Sequence, residues 1–257
     1  MQATRRLAGL ALVAAAAVAL PITLAQPASA ACAPGTYPPS SCAPTVVMTA
    51  PQTRFTLNSA HVAWRVQYSA GPIEKYQVRY ARARWNGVTE PLVYPRVWNN
   101  LQTTAVSQTL PLGYTYCYSV RAVDTANRVG PWSDARCTAR PLDDRSLALS
   151  SGWTRGSLSY FYMGTFSTTK ARGARAVRTG ANVRRIGVVG RTCPTCGKIG
   201  VFLGSTQIGT ISFYSATTMN QQIKLLSPFV THTGTTITLK NLSTKRVYID
   251  GLGISRV

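Results

Sequence analysis

The stretch LPLGYTYCYSVRA, residues 110–122, decides the fold class of this 257-residue chain. Tyr116, Tyr118, Val120 and Ala122 alternate with other side chains at period two, which predicts a strand with one buried face. Residues 61–66 and 76–80 repeat this alternation, and no part of residues 45–142 sustains the 3.6-residue period of a helix. These residues are therefore predicted to form an antiparallel β-sandwich.

The same region resembles a fibronectin type III domain over residues 45–142. The resemblance is carried by Trp64, by GPIEKYQVRY at 71–80 and by residues 110–122. It implies that Trp64 is a core tryptophan and that Tyr116 is a tyrosine-corner residue whose hydroxyl bonds back to the chain. Both are packing roles, so the resemblance implies a spacer or accessory module and no particular chemistry.

Residues 146–257 are predicted to form a second sandwich, of jelly-roll type, because Gly, Asn and Ser/Thr clusters separate short strand-like runs. The runs are 174–179, 183–189, 198–203, 207–213, 221–226, 235–240 and 246–254. The order of features, from Gly152-Trp153 to the closing YIDGL at 248–252, resembles galactose-binding-like modules of bacterial polysaccharide-degrading enzymes. Together the two halves resemble secreted bacterial, actinobacterial-like proteins, which implies carbohydrate binding. A proline and two acids at 141–144 mark the predicted boundary.

The first thirty residues are predicted to be a cleaved secretory signal peptide. Arg5 and Arg6 precede an apolar run at 7–20, and Ala28-Ser29-Ala30 forms a small-x-small cleavage site. A retained membrane anchor is the alternative, but fourteen apolar residues fall short of the roughly 20 that a spanning helix needs. Residues 31–44 are a predicted Pro/Ser-rich linker. The protein is therefore expected to be secreted or extracellular, either free or associated with the cell wall.

The six cysteines of an exported chain are expected to form disulfides. Fifteen pairings are formally open, and proximity favours local ones. The favoured pairs are Cys32 with Cys42, Cys117 with Cys137, and Cys193 with Cys196. A redox or zinc site at Cys193-Pro194-Thr195-Cys196 is the alternative. A turn and strand follow this motif where a redox site needs a helix, and His232 is the one further histidine ligand of the module, so a structural clip is favoured.

The charge balance points to an anionic partner. The chain carries 28 Lys+Arg against 7 Asp+Glu, and residues 146–257 carry 14 basic residues with Asp250 as their single acid. Such a field attracts cell-wall polymers, acidic polysaccharides, acidic membrane surfaces or nucleic acid. A solvated cationic surface without a dedicated partner is the alternative.

Candidate ligand-binding residues come from aromatic and arginine side chains of the second module. Aromatic rings near predicted loops could stack on sugar rings, with core packing as the alternative; these are Trp153, Tyr160, Tyr162 and Tyr214. Arg184 and Arg185, with the basic run at 174–178, could grip carboxylates or phosphates bidentately. Trp153, Tyr160 and Arg184 are predicted to share a concave surface.

Catalytic machinery is not expected, because glycoside hydrolysis ordinarily needs two carboxyl groups and this module has Asp250 alone. Asp143 and Asp144 fall in the predicted hinge, and no nucleophile elbow, zinc helix or phosphate-binding loop is present. The predicted function is therefore non-catalytic attachment to anionic cell-wall or extracellular polysaccharide, without cofactor or metal. An accessory or catalytic part in polysaccharide degradation, and polyanion or nucleic-acid binding by charge alone, are the alternatives.

Overall fold

A computed structural model describes Ala31 and residues 42–257 of the chain. The predicted signal peptide and Cys32 lie outside the described residues. The described chain is built from strands with a few short 3-10 turns, so the prediction of an all-β protein with two sandwiches is confirmed. Within this part of the chain, no helix has the length and hydrophobicity to span a bilayer.

The first sandwich consists of two three-stranded sheets. Its strands are β1 (Thr45–Ala50), β2 (Ser59–Tyr68), β3 (Ile73–Arg84), β4 (Ala105–Thr109), β5 (Tyr114–Asp124) and β6 (Arg136–Ala139). The sheets have the orders β1-β2-β4 and β3-β5-β6. The alternation predicted for residues 110–122 is seen directly in β5, where Tyr116, Tyr118, Val120 and Ala122 are all buried in the core around Trp64.

Two expectations for β5 have different outcomes. The disulfide between Cys117 and Cys137 is present, and it joins residues directly opposite each other on β5 and β6. Tyr116 is buried, but its hydroxyl interacts with the side chain of Arg82, where the tyrosine-corner resemblance implied a backbone partner. Cys42 is also disulfide-bonded, while its expected partner lies outside the described residues.

The second sandwich contains eleven strands in the described chain. They are β7 (Leu142–Asp143), β8 (Ala148–Leu149), β9 (Thr154–Ser157), β10 (Thr165–Thr169), β11 (Arg175–Val183), β12 (Arg185–Thr192), β13 (Lys198–Leu203), β14 (Thr206–Ser212), β15 (Met219–Leu225), β16 (His232–Asn241) and β17 (Val247–Ser255). One sheet has the order β15-β12-β17-β10-β9, with β7 also paired to β17, and the other has the order β14-β13-β16-β11-β8. All seven predicted runs coincide with strands β11–β17.

The segment predicted as the boundary is part of the second sandwich. Leu142 pairs with Leu252, and Asp143 pairs with Gly251, so this segment adds a short strand to β17. Leu142 is buried in the core of the second sandwich. Burial of this leucine explains why the chain forms sheet structure here and not an exposed hinge.

Trp85, in the hairpin that follows β3, joins the two sandwiches. Its buried ring belongs to the hydrophobic core of the second sandwich, and the guanidinium carbon of Arg178 lies 4.0 Å from the ring centroid. The backbone N–H of Asn182 donates to the Trp85 carbonyl (2.9 Å), and the Asn182 side chain donates to the Gly87 carbonyl (3.0 Å). The hairpin of the first sandwich is therefore an integral part of the second.

Phe55 makes a second contact between the sandwiches. Its ring lies against Gly187 of β12 and Gly253 of β17, and a Cβ atom at Gly253 would fall 2.5 Å from the ring. The two glycines thus leave the strand surface flat enough for the aromatic ring to approach the backbone. With Trp85 and Phe55 both inserted, the sandwiches pack in one fixed orientation.

Candidate functional site

The predicted surface of Trp153, Tyr160 and Arg184 is not formed. Trp153 immediately precedes β9. The first residue of β9, Thr154, pairs with Thr168 of β10, and Thr168 in turn pairs with Tyr248 of β17. Arg184 precedes β12, whose first residue pairs with Ser255 of β17. Seven residues of extended strand separate those two points, about 23 Å at roughly 3.3 Å per residue. Trp153 and Arg184 therefore lie near opposite ends of the sheet.

Tyr162 must be removed from the predicted aromatic set. It is 3% exposed, and its hydroxyl donates to the Pro141 carbonyl (3.0 Å) and accepts from Arg140 Nε (3.3 Å). Burial raises the pKa of this hydroxyl. Trp153 is half-buried against the core, whereas Tyr160 is 46% exposed.

The predicted arginine stripe is divided among different tasks. Arg178 stacks on Trp85 and donates from Nη1 to the Ser146 carbonyl (2.8 Å), so it serves the contact between the sandwiches. Arg185 donates from Nε to the Val257 carbonyl (2.8 Å), and burial, with the nearby Arg54 and Arg184, lowers its pKa. Arg184 is exposed. These arginines do not form one anion-binding patch.

Of the predicted aromatic residues, Tyr214 lies at the edge of a groove. It is 61% exposed and lies beside the disulfide between Cys193 and Cys196, which is present as predicted. The backbone N–H of Cys193 donates to the Phe213 carbonyl (3.0 Å), and the N–H of Gly197 donates to the Arg246 carbonyl (2.8 Å). The disulfide turn therefore links the end of β14 to the turn between β16 and β17.

Gly197 allows these two loops to approach each other. A Cβ atom at this position would lie 2.4 Å from Ser243 Oγ and 2.8 Å from the Lys245 carbonyl. Only glycine fits so close to the neighbouring backbone. The loop that carries Lys245 is consequently held against the disulfide turn.

Two grooves flank this loop, with cavity volumes of about 430 and 540 Å³. Both are lined by Thr244 and Lys245, and Tyr214 borders the first while Tyr248 borders the second. We call this region the cationic end, after its six basic lining residues. They are Lys170, Arg172, Arg191, Lys198, Lys245 and Arg246.

The positive charge of the cationic end has no counter-charge within the described residues. The three ion pairs found there, Lys75–Glu74, Arg82–Glu90 and Arg128–Asp124, all belong to the first sandwich. Arg191 and Arg246 lie over the Tyr248 ring, with guanidinium carbons 5.5 and 6.0 Å from its centroid. Clustered, unpaired cations beside exposed aromatic surface can bind an anionic ligand through charge-assisted hydrogen bonds.

The side chain of Asn241 is hydrogen-bonded to two of the loops that form the cationic end. It is fully buried, its Nδ2 donates to the Ala171 carbonyl (3.1 Å), and its Oδ1 accepts from the Ser243 N–H (3.2 Å). One side chain thus fixes both the turn that bears Arg172 and the loop that bears Lys245. Sequence reasoning did not single it out.

Replacing Asn241 with alanine should lower the free energy of unfolding by about 1–3 kcal/mol, because two partly buried hydrogen bonds, each worth about 0.5–1.5 kcal/mol, are lost. The same variant should bind anionic ligands more weakly, since both basic loops are released. Denaturant unfolding and a binding titration measure the two effects. Asn99→Ala, at an exposed position, is the control; equal stability of the two variants would contradict this role.

The structure also brings together three carboxylates that the sequence separates. Asp144 and Asp250 are fully buried, and Asp143 lies beside them. Asp144 accepts hydrogen bonds from the hydroxyls of Thr165 (2.6 Å) and Ser167 (2.5 Å). The pairing of β7 with β17 places Asp143 opposite Gly251 and so creates this cluster.

Asp250 should make the stability pH-dependent. Burial, with Asp144 and Asp143 nearby, raises its pKa to about 7, and its Oδ1 has no hydrogen-bond partner while Oδ2 accepts from the Tyr162 N–H. Because the pKa of Asp250 in the folded protein lies above the ordinary value of 3.8, protonation of this carboxyl stabilises the fold. The stabilising contribution is fully present below about pH 4 and is lost as the pH rises through about 7. The unfolding free energy should fall by up to about 4 kcal/mol over this window.

Asp250→Asn tests this expectation, because asparagine mimics the protonated acid at every pH. Denaturant unfolding at pH 5, 6, 7 and 8 should show most of the decline in the wild type and little in the variant. Burial also raises the pKa of Asp143, so a smaller residual slope is expected. An identical slope in both proteins would refute the assignment to Asp250.

Neither the acidic cluster nor the disulfide turn offers a metal centre. Within Ala31 and residues 42–257, no group of three or more His, Cys, Asp or Glu side chains could hold a metal ion. The two cysteines at 193 and 196 are bonded to each other.

Comparison with known proteins gives no family assignment. No protein-family model matches the sequence, and no curated protein matches it. Among solved structures, a carbohydrate-binding module of the β-sandwich superfamily with promiscuous specificity is 12% identical, with a TM-score of 0.31, over 82% of this chain and 97% of that one. The α-L-rhamnosidase of Dictyoglumus thermophilum is 9% identical, with a TM-score of 0.33, over 81% of this chain and 25% of that enzyme.

The α-L-rhamnosidase of Streptomyces avermitilis, complexed with L-rhamnose, is 13% identical, with a TM-score of 0.26, over 81% of this chain and 23% of the enzyme. The chain thus spans about a quarter of the length of either rhamnosidase. Similarities at these TM-scores carry no argument about the function of this chain.

Proposed function

We infer that this chain is a non-catalytic, extracellular binding protein that attaches to anionic polysaccharide through the cationic end. One observation carries the inference: six basic side chains surround two adjoining grooves without a carboxylate partner among the described residues. Exposed Tyr214 adds a flat apolar face that matches the face of a sugar ring. The first sandwich, in keeping with its resemblance to fibronectin type III domains, serves as a rigid support.

The positions of the seven acids support a non-catalytic role. Three of them are in ion pairs, namely Glu74, Glu90 and Asp124. Asp143, Asp144 and Asp250 form the buried cluster, and Asp134 belongs to neither group. Asp144 and Asp250 are fully buried, so a substrate cannot reach their carboxylates. Hydrolysis of a glycosidic bond ordinarily needs a pair of carboxyl groups in contact with the substrate, a task that these two buried acids do not fit.

An extracellular location is supported by the disulfides. The bonds Cys117–Cys137 and Cys193–Cys196 persist in oxidising compartments and are rare in reducing ones. The cell wall and the extracellular matrix both supply polymers that carry carboxylates or phosphates. Attachment to such a polymer is the function we assign.

Binding measurements with three polymers test the proposal. Polygalacturonate should bind the protein with micromolar or better affinity at 50 mM salt, while neutral dextran should not bind. Equal affinity for polygalacturonate and duplex DNA, lost equally as the salt concentration rises, would instead favour charge-driven polyanion binding. Absence of polygalacturonate binding at low salt would overturn the proposal, and release of reducing sugar would identify an enzyme.

A further inference from the structure

A second group of unpaired cations lies on the first sandwich, on the outer face of the β3-β5-β6 sheet. The inner face of this sheet carries core residues such as Val78 and Val120. Side chains alternate along a strand, so Arg79 and Arg121 lie on the outer face. Arg79 pairs with Ser119, two residues from Arg121, which makes the two arginines diagonal neighbours on adjacent strands.

Trp132 braces both arginines. The guanidinium carbons of Arg79 and Arg121 lie 4.2 and 4.6 Å from its ring centroid. Tyr94 completes the group: its ring centroid is 5.9 Å from that of Trp132, and its hydroxyl accepts from Arg79 Nη1 (3.3 Å). We call these four residues the Trp132 platform.

The platform holds two positive charges that lack an anion. None of the ion pairs in the described chain involves Arg79 or Arg121. Arg79 Nε is buried without a hydrogen-bond partner, and Arg121 Nε is bonded to the neutral Gln77 Oε1 (2.7 Å). Burial and the neighbouring Arg79 lower the pKa of Arg121. The two cations repel each other, and an anionic ligand would relieve this repulsion.

The geometry also fits a ring. Tyr94 is 49% exposed at the edge of the platform. Stacked guanidinium groups are already ordered, so they lose little entropy when they bind a planar carboxylate through two parallel hydrogen bonds. An exposed aromatic face beside them suits the apolar face of a pyranose.

We propose that the Trp132 platform is a second glycan-binding site, specific for hexuronate residues, whose carboxylate contacts Arg79 and Arg121 while the pyranose ring packs on Tyr94. A hexuronate combines both features in a single sugar unit. The platform lies on the other sandwich from the cationic end, so this site goes beyond the proposed function and stands or falls separately. Because the sandwiches are fixed together at Trp85 and Phe55, one long chain that reaches both sites would gain avidity, in the range of 10²–10⁴ for linked sites.

Calorimetric titration of the disulfide-bonded protein with oligogalacturonides of about six units tests the proposal, since a short probe counts sites individually. The wild type should bind two equivalents. The Arg79→Gln/Arg121→Gln variant should bind one, with at least a tenfold loss of affinity at the second site. Arg54→Gln/Arg65→Gln is the matched control, because it removes the same charge from exposed positions of the first sandwich, and it should still bind two.

A second pair of variants separates recognition from folding and from charge. Tyr94→Ala keeps every charge and should weaken the platform site severalfold; Arg79→Lys keeps the charge but loses the planar fork and should do the same. Retention of two equivalents by Arg79→Gln/Arg121→Gln would overturn the proposal, and so would polyphosphate binding at the platform as tightly as the oligogalacturonide. A Lys198→Gln/Lys245→Gln variant should lose the oligogalacturonide bound at the cationic end and keep the one bound at the platform. Failure of one site is therefore distinguishable from failure of the other.

Discussion

Replacement of Trp85 by alanine is expected to lower the free energy of unfolding by about 3–5 kcal/mol, the usual cost of removing a large buried aromatic side chain. The ring lies in the core of the second sandwich although the first sandwich supplies it, and it stacks on Arg178. The variant should therefore lose stability and also the coupling between the two halves. Chemical denaturation of the wild type and variant measures both effects.

Val88→Ala provides the matched control for this prediction. Val88 lies in the same hairpin but is 75% exposed, so its truncation should change the stability by no more than about 0.5 kcal/mol. A Trp85→Ala protein as stable as the Val88→Ala protein would show that the hairpin does not anchor the sandwiches.

The second large effect concerns the cationic end. At the cationic end, the variant Lys198→Gln/Lys245→Gln/Arg246→Gln should bind polygalacturonate about 100-fold more weakly at low salt, because each charge-assisted contact contributes roughly 1 kcal/mol. Its folding should be unaffected, since all three side chains are exposed and in no ion pair with a described carboxylate. Equilibrium binding at several salt concentrations measures the loss and the change in salt slope.

Arg54→Gln/Arg65→Gln/Lys224→Gln removes an equal charge from surfaces outside both grooves and serves as the control. This variant should retain nearly all the affinity, apart from a small long-range effect at low salt. Equal losses in the two variants would mean that the overall field of the protein, and not the cationic end, binds the polymer.

The architecture could be predicted because it is written in local patterns. Period-two alternation located β2, β3 and β5, and short apolar runs between Gly and Asn clusters located β11–β17. The bonds Cys117–Cys137 and Cys193–Cys196 were predictable because each closes a short loop. Strands of two residues, such as β7, carry no periodicity, so the segment at 141–144 was interpreted as a hinge.

The arginine stripe failed for a reason the sequence already contained. Residues three positions apart on a strand point to opposite faces, so Arg175 and Arg178 could not form one surface. Arg184 lies in the bend before β12, whereas Arg185 begins that strand and donates to the Val257 carbonyl. Tyr162 failed because a single sequence does not distinguish an aromatic side chain at the rim from one that folds under a loop. Its buried hydroxyl bond to Pro141 is a tertiary feature.

The cationic end could not be predicted because four separate segments build it. The β10–β11 turn, the end of β12, the start of β13 and the β16–β17 turn meet only when the two sheets stack. A partial signal was available, since Lys198 follows the disulfide motif directly and Lys245 and Arg246 precede the closing strand. The acidic cluster likewise depends on the pairing of β7 with β17.

Lysine-reactive labelling with and without polygalacturonate, read out residue by residue by mass spectrometry, tests the central claim most directly and needs no substitution. Bound polymer should protect Lys170, Lys198 and Lys245, which line the two grooves, and should leave Lys224, which lines neither groove, as reactive as in the free protein. Protection spread evenly over all these lysines, or absent from the first three, would contradict the assignment of the cationic end as the polysaccharide-binding site.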